Sequence, residues 1–533
     1  MIESKDMKRF AKYLVLLCLL IALIAVGLVV YKDYGIPWDE AEQIQIGTLN
    51  YKYAIRGDTE LLTFRDRYYG ALFESSLLWL NAHLPIPRHL LIFFTFVIGL
   101  VLFFLLSKRL FKNLWWALLA TAILATSPRI FADAFYNSKD IPFMVASIAA
   151  IWTLVLLADI LRQKRGWLLI GAMTGVHAAA SAVLIGTRIP GIMIIPLSIF
   201  LILIGIMEMP FSWKRRLGIV SGYFLLTVCF TILCWPILWH DPWAEFVNAF
   251  LNMSKYPFNR PALYMGQFYT PNNLPWHYLP VWIGITTPII VLLGFVPGVA
   301  AWVKSLYCSI GGLKRAKDEN PAKRLFDPDL WVWVIIFGWI VIPLVAVYWF
   351  HSILYDGWRQ MFFIYPAIVL ISMRGLKSMF DWLSRLLAST PWARLVAGLI
   401  LLAGLAEPIW FIFRYHPYEN VYFNVLAGSP STLRQRFELD YWGLSYKQAI
   451  DFILANDPGQ EIKIVTANPP GQDYINSGLS AAQKSRITYI NDLDEADYFV
   501  TEFRWHPDDY PYPDEFYSIT VRGTKIMAVY RIH

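Results

Sequence analysis

Charge is scarce in this chain. Of its 533 residues, 16% are Asp, Glu, Lys or Arg and 57% are hydrophobic, whereas a soluble globular protein carries roughly 25% charged residues. A soluble enzyme and a disordered or collagen-like chain are thereby excluded. Cysteine is scarcer still: Cys18, Cys229 and Cys234 lie in apolar runs and Cys308 in a basic stretch, so neither a disulfide framework nor a zinc cluster is expected. Internal repeats, heptads and low-complexity tracts are missing. So are a Gly-rich phosphate loop, an H-E-x-x-H zinc motif and a nucleophile elbow, which disfavours a nucleotide-driven pump. The apolar runs do not alternate with polar residues, which excludes an outer-membrane barrel.

What is present is apolar length. Runs of about 20 residues recur from Leu14 to Phe413, enough to cross a hydrocarbon core ~30 Å thick. Read between charge clusters, they predict about eleven transmembrane helices, near 12–30, 89–106, 114–127, 141–161, 167–185, 190–207, 217–238, 280–303, 330–349, 360–373 and 395–413. The net charge of +7 is not a nucleic-acid signature. Residues 440–533 hold 14 acidic and 8 basic side chains, so the part before them carries +13, and 23 Lys and Arg sit in alternate loops from Lys5–Lys12 to Arg374–Arg394. By the positive-inside rule the N-terminus is cytoplasmic and, with an odd number of spans, the C-terminus lies outside. The first span lacks a small-residue cleavage site and reads as a retained helix.

Two regions follow: a membrane domain over 1–414 with outer loops 31–88, 128–140, 239–279 and 350–359, and an extracytoplasmic α/β domain over 415–533. In the first loop, Ile44, Thr48, Tyr51 and Ile55 recur at helical spacing, which suggests an amphipathic helix along the membrane surface. In the C-terminal region, Ile462–Thr466, Ile487–Ile490, Tyr498–Thr501 and Ile519–Tyr530 read as strands and Tyr446–Leu454 as a helix.

Ionisable residues at the edge of such a chain are the functional clue. Asp39 and Glu40 are adjacent, so on a helix they point about 100° apart and serve different partners; they read as a general base with a neighbouring acceptor-binding group, or as an acidic helix start favoured by the macrodipole. Arg129, Asp133, Asn137, Lys139 and Asp140 crowd one turn between two spans, where Asp140 alone could be a cap with Pro142 in the first turn. Capping requires neither Arg129 nor Lys139. In His351–Arg359, Arg359 opens an apolar helix at the end where the dipole disfavours a cation. An anionic ligand such as a phosphate would resolve that conflict, as would snorkelling to lipid headgroups. His177, Arg188, His240, Asp241 and Glu74 are weaker candidates.

With Asp39-Glu40 in the first outer loop, Asn137-Ser138-Lys139-Asp140 in the second and Tyr355 and Arg359 in a later one, the sequence resembles the integral-membrane glycosyltransferases of the GT-C type. It is most similar to the protein O-mannosyltransferase family and its bacterial relatives, including those that attach aminoarabinose to lipid A. The resemblance covers roughly residues 10–415. It departs from the eukaryotic members, which carry a β-trefoil domain in a lumenal loop, because no loop here is large enough to hold one; the segments Tyr415–Asn420 and Phe437–Gly443 look like the tail of bacterial relatives. The resemblance implies an inner-membrane enzyme that transfers a sugar, with inversion, from a polyprenyl-phosphate donor to a hydroxyl of a protein, lipid or glycan acceptor. It implies Asp39 as base, Glu40 and Asp140 as groups orienting the acceptor or a metal, Lys139, Tyr355 and Arg359 as donor-phosphate contacts, and Arg129 as a second-rank one. A divalent cation could assist, although the sequence shows no exclusive ligand set. A transporter or flippase for a lipid-linked sugar, and an inactive scaffold, are the competing readings; paired broken helices or repeated halves, the usual transporter signs, are not seen.

Overall fold

Nine helices are long and apolar enough to span a membrane, from Arg88–Phe111 to Gly398–Tyr415, in a computed structural model that describes residues 2–163, 165–207, 211–256, 258–315, 328–386 and 391–533. Leu114–Ala125 and Pro128–Tyr136 meet the same length and composition test only as a pair, bent by 66°, and Leu14–Val30 is a shorter apolar helix. Together these account for the eleven expected segments. The bend falls at Thr126-Ser127-Pro128, where Pro128 lacks the N–H that would continue the first helix and instead opens the second. The basic stretches 304–324 and 374–394 run partly outside the described residues.

Helices Ile289–Arg315 and Tyr365–Leu386 approach each other closely along their backbones. A Cβ on Gly375 would stand 2.0 Å from the Gly294 carbonyl and 2.5 Å from the Gly298 amide, so small residues set this contact, as expected where lipid offers no hydrophobic drive for association. The two most enclosed spans are Asp140–Arg162, 78% buried, and the one beginning at Arg359, 83% buried. Their first residues are therefore carried into the interior at one end of the bundle.

At that end the connecting segments are ordered. Glu40–Arg56 is helical, with Gln43, Ile46, Gly47, Leu49 and Asn50 buried. Ile44 and Ile55, members of the stripe read from the sequence, point outward at 38% and 67% exposure. Residues 239–279 contain helix Pro242–Ser254, capped by the Asp241 carboxylate, and a hairpin of β1 (Ala262–Tyr264) and β2 (Gln267–Tyr269).

The C-terminal domain is a five-stranded sheet in the order β4-β3-β5-β7-β6, comprising β3 (Ile462–Thr466), β4 (Ile487–Tyr489), β5 (Tyr498–Thr501), β6 (Glu515–Val521) and β7 (Thr524–Arg531). β3 pairs in parallel with β4 and β5, and β7 runs antiparallel between β5 and β6. Helix Tyr446–Asn456 packs on it, with Phe452 stacked at 4.0 Å on Tyr517. The run Ile519–Tyr530, expected as one strand, is a hairpin instead. Arg522 and Gly523 both take positive φ, 50° and 81°, the two-residue turn whose twist matches a hairpin.

The domain is fastened to the first connecting segment. The Trp38 amide donates to the Trp442 carbonyl at 3.0 Å, and the Tyr34 hydroxyl donates to Glu419 at 3.1 Å. His416 bridges Asp33 at 3.0 Å and Glu419 at 2.7 Å.

Candidate active site

Asp39 stands at the start of helix Glu40–Arg56, and its side chain makes no cap hydrogen bond. The carboxylate is thus free to face the bundle, where Oδ2 accepts from Lys139 Nζ at 2.9 Å and Arg359 Nη2 at 3.2 Å. Burial by itself would raise its pKa, but the charges of Lys139 and Arg359 bring it down to about 2. Burial would likewise lower Lys139, and the facing Asp39 holds it above the ordinary lysine value.

Asp39 and Lys139 border a cavity of about 310 Å³. Polar side chains on its wall include Asp39, Glu42, Lys139, Asp356, Arg260 and Arg504, and the aromatic wall includes Trp38, Tyr69, Tyr256, Tyr355 and Trp505. Tyr355 is stacked on Phe258 at 3.8 Å. Arg260 lies between Trp38 and Trp505, 5.2 and 4.8 Å from the ring centroids. Such a wall offers flat apolar faces together with hydrogen-bonding groups of both signs, the combination that small polar ligands require.

Glu40 turns away from this cavity, as the angle between adjacent helical residues requires. It faces His89 at 3.5 Å and Arg88 at 3.7 Å; burial would raise its pKa, and those two neighbours lower it. Arg88 continues to Glu74 at 2.7 Å and Ser138 at 2.9 Å, so Glu40 belongs to a network behind the Lys139 turn.

Asp140 does not act as the cap that the sequence allowed. Asn137 Oδ1 accepts from the amides of Lys139 at 3.2 Å and Asp140 at 2.9 Å. The Asp140 carboxylate, 1% exposed, instead accepts from Asn137 Nδ2 at 2.9 Å, from Arg359 Nη1 at 3.3 Å and from Arg188.

The Arg359 guanidinium is 2% exposed, is not on the wall of that cavity and is held by three carboxylates: Asp39, Asp140 and Asp356, the last through Nε at 3.2 Å and Nη2 at 3.0 Å. The conflict between its charge and the helix start is resolved from within the protein. Asp356 and Gly357 reach this position with φ of 55° and 70°. Arg129 lies over Trp282 and Phe423 at 5.5 and 4.8 Å and donates to the Tyr422 carbonyl at 3.0 Å, and it is not on the cavity wall.

The C-terminal domain supplies what sequence reading missed. Arg504, between Phe503 and Trp505 with φ of 62° each, donates to Asp356 Oδ1 at 2.5 Å and to the Tyr441 carbonyl at 2.6 Å. Nothing local marks Arg504, in a segment that reads as a separate domain. Glu42 was passed over because its stretch reads only as an amphipathic helix. Among the described residues, no three His, Cys, Asp or Glu side chains form a group able to hold a metal ion. Asp39 and Asp140 are both tied to Arg359.

No known family description matches the chain, and no curated protein does. Solved structures are similar to it. ArnT from Cupriavidus metallidurans bound to undecaprenyl phosphate is 13% identical with a TM-score of 0.46, over 96% of this chain and 97% of that one; its apo state is 12% identical with a TM-score of 0.47 over the same shares. The Archaeoglobus fulgidus oligosaccharyltransferase is 11% identical with a TM-score of 0.45, over 90% of this chain, which spans 65% of that enzyme's length.

Proposed function

We propose that this membrane protein transfers a sugar from a polyprenyl-phosphate donor to an acceptor hydroxyl, with inversion, on the outer face of the cytoplasmic membrane. The observation that carries the reading is the cavity where Asp39 and Lys139 meet 2.9 Å apart within an aromatic wall. A lipid phosphate is already a good leaving group, so the main requirement on its side is a cation for the charge that develops on it. Lys139 and the Tyr355 hydroxyl border the cavity and take that role, while Arg359 acts from behind by holding Asp39, Asp140 and Asp356 in place. An apolar pocket of about 30 Å³, lined by Phe143, Ile151, Leu197, Trp339 and Phe363, lies among the spans beside the first turns after Asp140.

The acceptor hydroxyl has the opposite requirement, because it must lose a proton as it attacks. Asp39 receives its hydrogen bond and acts as the first proton acceptor. With Lys139 and Arg359 against it, the carboxylate is a weak base; a donor phosphate that engages Lys139 draws one of those cations away and strengthens it. Asp140 and Glu40 are positioning groups in this scheme, the first through Arg359 and Arg188, the second through Arg88.

The test is transfer of radiolabel from a polyprenyl-phosphate sugar by the purified protein in detergent. Label should appear on an acceptor fraction and depend on Asp39. Translocation of the lipid-linked sugar across proteoliposomes without any transfer would replace this reading with the flippase one.

A further inference from the structure

The wall of the same cavity carries a carboxylate that the scheme above leaves unused, Glu42. Glu42 lies three residues beyond Asp39, on the same face of helix Glu40–Arg56, and both border the cavity. Behind it Asp66, 3% exposed, accepts from the Tyr256 hydroxyl at 3.1 Å and from Arg65 Nε at 2.6 Å. Arg65 Nη2 also reaches Glu42 at 2.7 Å. The groups facing Glu42 are therefore Asp39 from its own helix, Arg65 and Asp66 from the following segment, Lys139 from the turn before Asp140, and Tyr256, through Asp66, from the segment after helix Pro242–Ser254.

Two carboxyls in contact disfavour a second negative charge. Burial, then the contact with Asp66, lift Glu42 to about 7, with Asp39 adding to the rise and Lys139 opposing it. Asp39, one turn away, is held at about 2. A proton given to Asp39 is thus poorly held there, and Glu42 is a neighbour that holds one near neutral pH. Its side chain is 34% exposed, so it also has access to water.

We propose that Glu42 is the proton relay of the site, resting on the transferase reading above: it takes the acceptor's proton from Asp39 and passes it to solvent. In the balanced step, the acceptor oxygen forms its bond to the anomeric carbon while the bond from that carbon to the phosphate oxygen breaks. The electron pair leaves on the lipid phosphate, and the hydroxyl proton moves to Asp39, then Glu42, then water.

The experiment is the pH profile of kcat between pH 5 and 9 for the full chain in detergent with a polyprenyl-phosphate sugar, together with donor Kd. The wild type should gain rate through a limb near pH 7. Glu42→Gln should lose that limb and fall by about tenfold or more, with donor Kd unchanged. Asp66→Asn, which removes the neighbouring charge, should keep a limb but move it to lower pH, a result that a purely structural role for Glu42 would not produce. A limb near 7 that survives Glu42→Gln, or that stays in place in Asp66→Asn, overturns the relay while leaving the transferase reading intact. A wild type that transfers no sugar overturns both.

Discussion

Replacing Asp39 by Asn keeps the size and most hydrogen bonds of the side chain but removes its charge and basicity. The carboxylate is depressed from 3.8 to about 2 by Lys139 and Arg359, which corresponds to about 2 kcal/mol of favourable interaction. Because the folded value is the lower one, this contribution is present above the unfolded value and is lost as pH falls through about 2. At neutral pH the variant should therefore unfold more easily by that order. Lys139, whose 2.9 Å partner is Asp39, is left with its charge more exposed to an incoming anion. Donor affinity should hold or increase, while turnover falls by ~10² to 10⁴, the usual range for losing a general base. Equilibrium binding of a labelled polyprenyl phosphate and single-turnover transfer, measured on one preparation, separate the two effects. Near-normal turnover in a folded variant would refute the role of Asp39. Abolished transfer in Asp140→Asn alongside it would move the base to the second connecting segment.

Arg359→Ala leaves three carboxylates, Asp140 and Asp356 both buried, without their shared cation, so it should cost roughly 3–5 kcal/mol and lower Tm in detergent; Arg359→Lys should recover only part, since a point charge cannot reach all three. Arg129→Ala should lower Tm through lost packing on Trp282 and Phe423 but leave donor Kd unchanged, and a large loss of donor binding would restore Arg129 to the site. The Asp33 and Glu419 contacts raise His416 above its ordinary value against the opposing effect of burial; its contribution to domain docking is full below the unfolded value of about 6.5 and is lost as pH rises through the higher folded one, so proteolysis of the C-terminal domain should accelerate with pH in wild type and less so in His416→Gln. In a background with the four cysteines replaced, an impermeant thiol reagent applied to intact cells should label Ser480→Cys and spare Arg165→Cys, and the reverse pattern would place the cavity on the cytoplasmic side.

The spans could be read from the chain because apolar length is a local property: any run such as Asp140–Arg162 must bury its backbone polar groups in its own helix to enter lipid. The pairing of Asp39 with Lys139 was also within reach, since both stand at span ends on one side of the membrane. The division of Asp39 from Glu40 follows from helix geometry alone. What occupies Arg359 was not legible. Its charge at a helix start calls for an anion, but only the packing of two enclosed spans against the first connecting segment brings in residues 39, 140 and 356 as its partners. The same holds for Arg504, 148 residues from the Asp356 it contacts, and for Glu42, whose raised proton affinity depends on burial and on Asp66 across a turn. A sequence shows which side chains are costly to bury; which opposite charge meets each of them depends on long-range contacts that only the folded chain makes.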